Sequence, residues 1–120
     1  MIPARGWLVV ALWAAALILI GSQAKAETGI ASFYGGRAHH GKPMANGQRF
    51  DQNSDSCAHK RHPFGSVLRV SRAGGRSVVC VVRDRGPFIR GRIVDLSHAG
   101  ARAIGLMGIG IARVTVERIK

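Results

Sequence analysis

Six side chains of this 120-residue chain can act as carboxylic acids, and they bound its acid–base chemistry: Glu27, Asp51, Asp55, Asp84, Asp95 and Glu117. Asp84 stands between the β-branched run Ser77–Arg83 and the Gly/Pro-broken segment Asp84–Arg92. A strand running into a loop is a common seat for a catalytic group. Asp-Arg-Gly-Pro is also good turn chemistry in its own right. Arg83 and Arg85 flank Asp84; they oppose acid catalysis if they lie close to its carboxyl, and alternating side-chain directions would turn them away. Asp95 opens Asp95-Leu96-Ser97 and reads as a second acid, as a helix N-cap, or as a carboxylate held by backbone amides. Nitrogen and sulfur ligands occur in Cys57-x-His59-x-x-His62 and in His39-His40, but structural zinc sites usually show two tight ligand pairs. Cys57 has a better use with Cys80, so neither metal nor cofactor is expected.

The elements that must position these residues are short. Thr28–Tyr34 (TGIASFY) reads as an opening strand, and Gly35–Arg49 as a long exposed loop. Phe50–His62 has no clean period. Val67–Val70 reads as a strand, followed by a turn at Ala73-Gly74-Gly75 and by Ser77–Arg83, apolar on both faces and so expected to be central. Ile93-Val94-Asp95 is extended. A short helix follows, capped by Ser97 or Asp95, lined by Ala99, Ala103 and Ile104, and ended by Gly105. In Ile111–Ile119, Ala112, Val114 and Val116 alternate with Arg113, Thr115 and Glu117, the pattern of a half-buried strand. Five or six strands with one or two small helices predict a closed β-barrel, which removes exposed edges.

Size and charge exclude much else. One domain fits, whereas a two-domain enzyme does not. Residues 1–26 read as a signal peptide: Arg5 is the positive start, Trp7–Ile20 is apolar, and Ala24-Lys25-Ala26 fits the cleavage rule. That places residues 27–120 in the folded domain, with a periplasmic or secreted destination. With the only cysteines at Cys57 and Cys80, no lipid-anchor Cys lies at the cleavage site, and no stable membrane anchor is expected. An even cysteine pair in an exported chain suggests a Cys57–Cys80 disulfide. The net charge of +12 suits a polyanion; export directs it to the cell wall rather than to nucleic acid.

Five motifs, in order, resemble the rare lipoprotein A (RlpA) family: Ala31–Gly35 (ASFYG), Ala45–Asp51 (ANGQRFD), Ala58–Gly65 (AHKRHPFG), Asp84–Phe88 (DRGPF) and Gly91–Ser97 (GRIVDLS). The resemblance spans about residues 29–119. It implies a mainly β fold, a six-stranded double-psi β-barrel. It also implies a periplasmic lytic transglycosylase that cuts peptide-poor peptidoglycan strands to 1,6-anhydromuramoyl ends, with septal cell-division proteins as possible partners. Asp84 falls on the family's catalytic Asp, and Asp95 on a groove Asp of expansin-like barrels. Tyr34, Gln48, His59 and Arg85 fall on groove positions that bind the sugar. The chain departs from the family's pattern in three places. It has no acylated Cys, it stops at Lys120 where many members continue into a peptidoglycan-binding domain, and it has Gln48 where the family usually has a catalytic Glu. That last departure makes a non-catalytic, wall-glycan-binding or expansin-like barrel the alternative.

Overall fold

The computed structural model describes residues 25–120; all but the last two residues of the proposed leader lie outside them. Six strands form a closed barrel: β1 Glu27–Phe33, β2 Ser56–Ala58, β3 Val67–Arg72, β4 Ser77–Asp84, β5 Arg92–Leu96 and β6 Ala112–Arg118. Around the barrel they run β1-β5-β2-β4-β3-β6. β1 pairs parallel with β5 and β2 parallel with β4, and the other four junctions are antiparallel.

Alternation drives the packing. Leu68 and Val70 of β3, Cys80 and Val82 of β4, Val94 and Leu96 of β5, and Val114 and Val116 of β6 turn inward and are buried. Ala31, Cys57, Ala101, Ile104 and Leu106 complete the core. β4 is less apolar-faced than its sequence suggests, because Val79 is exposed on its outer side. β2, which carries no sequence period, is buried along its whole length between β4 and β5. Such a strand shows no alternation because both of its faces are covered.

A six-residue α-helix, α1 (His98–Ala103), follows β5, and a short 3-10 turn at Gly36–Ala38 interrupts the loop after β1. Ser97, not Asp95, caps it: its Oγ accepts the Gly100 N–H at 3.2 Å and donates to the Ser54 carbonyl at 2.6 Å. Asp95 lies within β5. The inner side of the helix is built from Gly100, Ala101 and Ile104, while Ala103 is exposed, so the expected lining is shifted by about one position. Gly105, at φ +78°, ends the turn.

Cys57 and Cys80 are bonded, joining β2 to β4 across 23 residues with Cα atoms 5.8 Å apart. Closing a loop of this length restricts the unfolded chain by about 3 kcal/mol in the chain-entropy model. Urea unfolding of the Cys57→Ser/Cys80→Ser chain should therefore give about 3 kcal/mol less stability than the oxidised protein. Equal midpoints and slopes would show that the bond contributes nothing.

Candidate active site

β2 brings the two central carboxyls together. Ala58 is the register partner of Asp84 on β4 and of Asp95 on β5. The β2–β4 ladder slips between Cys57 and Ala58: Cys57 faces Val82, Ala58 faces Asp84, and Arg83 is the extra residue. A bulge of this kind re-aims the side chains beside it. Arg83 sends its guanidinium to Asp55, at 2.5 Å, and to Ser56 Oγ, at 2.8 Å. The guanidinium of Arg85 goes to the carbonyls of His59, at 3.2 Å, and His62, at 2.9 Å, and lies 4.1 Å from the Phe64 ring centroid. Both flanking cations are thus committed to partners other than the Asp84 carboxylate.

Three donors hold that carboxylate. Tyr34 O–H donates to Oδ2 at 2.6 Å, and the Ala45 and Arg85 backbone N–H groups donate to Oδ1 at 2.8 and 2.9 Å. Tyr34 follows the last residue of β1, and its ring stacks on Phe50 with centroids 4.2 Å apart. Burial first, then the bond to Asp84 and the charges of Asp84 and Asp95, push the Tyr34 phenol far above its ordinary range. It therefore stays protonated and serves as a donor.

Asp95 accepts a hydrogen bond from Ser32 Oγ, its register neighbour on β1. Burial raises its pKa, with the nearby Asp84 adding to the rise; Ser32 and Arg92 offset part of it. The two carboxyls thus stand on either side of Ala58, Asp84 held by three donors and Asp95 by the Ser32 hydroxyl.

The other predicted residues are placed less uniformly. Gln48 is exposed on the loop that carries Ala45, with Oε1 accepting from Asn46 Nδ2 at 3.0 Å. His59 is only 1% exposed. Its Nδ1 accepts the Arg61 and His62 backbone N–H groups, both at 3.1 Å, and its Nε2 lies 2.8 Å from Glu27 Oε1. These bonds assign the proton to Nε2 and make His59 a support for the turn that grips Arg85, rather than a residue open to sugar. Ligand atoms of Glu27, His59 and His62 lie within 4.8 Å of one another. A metal at Nε2 would have to displace its proton while Nδ1 remains an acceptor, which a neutral imidazole does not favour. Tyr34, read from sequence as a sugar binder, has its hydroxyl bound to Asp84. Sequence reasoning missed Ser32, Phe50 and the Ala45 amide; their role depends on pairings distant in the chain.

A family model described as lytic transglycolase matches residues 26–116. The chain belongs to that family. Among curated relatives, a probable endolytic peptidoglycan transglycosylase RlpA from a Nostoc species is 50% identical over 91 residues, covering 74% of this chain and 24% of the relative. The endolytic peptidoglycan transglycosylase RlpA of Neisseria meningitidis serogroup A is 45% identical over 94 residues, covering 78% and 39%. The chain thus spans about a quarter to two fifths of the length of these relatives. Two solved structures share the fold. The Streptomyces papain inhibitor matches with TM-score 0.64 and 22% identity, over 80% of this chain and 96% of that one. The apo expansin of Clavibacter michiganensis matches with TM-score 0.61 and 21% identity, over 80% and 51%. This lytic transglycolase domain is therefore a double-psi β-barrel, as its motifs predict.

The raised Asp95 pKa makes a stability prediction. Below the ordinary carboxylate range the folded and unfolded chains both keep the proton, and the site costs nothing. As pH rises, the unfolded chain releases its proton first, and the folded chain is penalised. The melting temperature of Asp95→Asn relative to wild type should therefore move in the variant's favour between about pH 3 and pH 7. A difference that is flat, or that moves the other way, would contradict the assignment.

Proposed function

We infer that this chain is an extracytoplasmic peptidoglycan lytic transglycosylase in which Asp84 carries the proton. The observation that carries this reading is the Asp84 carboxylate, held on both oxygens by Tyr34 and two main-chain amides and faced by Asp95 across Ala58. A carboxylate has about four acceptor sites. The three donors leave one on Oδ2 for the mobile proton. Asp84 gives that proton to the glycosidic oxygen as the bond to muramoyl C1 breaks. The carboxylate then takes the proton of the muramoyl C6 hydroxyl, whose oxygen closes on C1 to form the 1,6-anhydro ring. No water is consumed, so one carboxyl serves as acid and then as base. Asp95, when ionised, stabilises the positive charge that develops at C1.

Family membership and the activities by which the relatives are named support the substrate class. The basic balance of the chain suits the lactyl carboxylates of peptide-poor strands. Periplasmic residence follows from the signal-like residues 1–26, and septal partners from the resemblance alone.

Position 48 favours one rival, a non-catalytic glycan-binding barrel, because an exposed amide can bind sugar hydroxyls but cannot exchange this proton. Mass spectrometry of peptide-free glycan incubated with the purified domain separates the two. On the enzyme reading, wild type releases anhydromuramoyl ends and Asp84→Asn loses about 10²–10⁴-fold. Tyr34→Phe, which removes one donor, falls between them, and Gln48→Glu raises the rate. Folded wild type that binds glycan but yields no anhydro ends across about pH 4–8 would leave the binding barrel.

A further inference from the structure

The loop leaving Asp84 carries an apolar tip that the acid–base reading does not use. Gly86 and Pro87 are buried, whereas Phe88 is 79% and Ile89 56% exposed. The Phe88 side chain is nevertheless placed. Two of its ring carbons come within 3.6 and 3.7 Å of the point where a side chain on Gly86 would begin, and Gly86 itself sits at φ +125°. A glycine here lets the ring lie back on the main chain two residues after the carboxylate. The loop is tied at both ends. Arg85 grips the His59 and His62 carbonyls and lies over Phe64, itself 44% exposed. At the far end, Arg92 N–H bonds the Ile89 carbonyl at 3.1 Å, and Ile30 N–H bonds the Gly91 carbonyl at 3.0 Å. An exposed phenyl on an anchored loop loses little freedom when a ligand covers it.

The charge of the loop narrows the choice of ligand. Arg85, Arg90 and Arg92 fall within Arg85–Arg92, which contains no acid. A sugar ring presents a C–H face that packs on an aromatic ring, and a muramoyl residue freed of peptide adds a carboxylate. Both features match an apolar ring among arginines that continues directly from Asp84.

We propose that Arg85–Arg92 is a glycan subsite adjoining Asp84, in which Phe88 stacks on a sugar of the strand and the loop arginines attract its lactyl carboxylates. The proposal rests on the glycan reading of the Asp84 site and extends it to the flanking sugars. Phe88 is then a substrate-positioning residue.

The test uses the Asp84→Asn chain, so that binding is read without turnover, with soluble peptide-free glycan strands as the probe. Adding Phe88→Ala should weaken binding about tenfold, Phe88→Trp should restore it, and the melting temperature should stay unchanged, since the side chain is mostly in solvent. In the active chain, Phe88→Ala should raise KM and leave kcat nearly unchanged. Unaltered glycan affinity, or no glycan binding by Asp84→Asn at all, would overturn the subsite. So would a Phe88→Ala chain that keeps glycan affinity and instead loses affinity for vesicles containing phosphatidylglycerol, because the tip would then serve a lipid surface. If wild type yields no anhydro ends and the Phe88 dependence of glycan binding persists, the acid–base reading of Asp84 fails and the subsite stands.

Discussion

Most of the site depends on where a three-residue strand lies. Ser56–Ala58 is buried between β4 and β5, and the register of Ala58 sets Asp84 on one side and Asp95 on the other. Each neighbour of Ala58 fixes something else. Ser56 Oγ accepts from Arg83, Cys57 forms the disulfide to β4, and the His59 N–H bonds the Asp84 carbonyl at 3.3 Å. A one-residue slip of β2 would turn Cys57 away from Cys80 and part the two carboxyls, since side chains alternate faces along a strand. The disulfide is thus a register pin as well as a brake on unfolding.

Electrostatics pose the second constraint. A chain of net charge +12 must keep its few acids from being neutralised by indiscriminate pairing. The peripheral acids absorb neighbouring cations: Asp55 takes Arg83, Glu27 takes Arg61, and Glu117 takes Arg69. Arg85 is drawn onto backbone carbonyls and an aromatic ring. Asp84 and Asp95 instead receive hydroxyl and amide donors, which hold a carboxyl in place without supplying a full positive charge.

Much of this was legible in the sequence. Alternation in Ala112–Glu117 marked β6, the even cysteine pair marked the disulfide, and the strand-to-loop junction singled out Asp84, the carboxylate that receives three donors. The strand β2 escaped notice because a segment covered on both faces and flanked by polar turns has no period to read. The bond from Tyr34 to Asp84 spans 50 residues, and only barrel closure brings the two together. The resemblance places His59 in the sugar groove, yet its ring nitrogens are used to hold a turn and to meet Glu27. Likewise Asp95 resembles a cap beside Ser97, and only the placement of β5 shows which of the two performs that task.

The central claim is that a glycan strand lies against Asp84, with the scissile oxygen in reach of its carboxyl. A crystal structure of the Asp84→Asn chain with a peptide-free muramoyl tetrasaccharide tests this directly. The account predicts a glycosidic oxygen within about 2.6–3.2 Å of the residue 84 side chain, with the muramoyl C6 hydroxyl turned toward its own C1. A strand seated elsewhere, for example in the hollow lined by Thr28, Arg72 and Arg113, with residue 84 out of reach of any glycosidic bond, would contradict it.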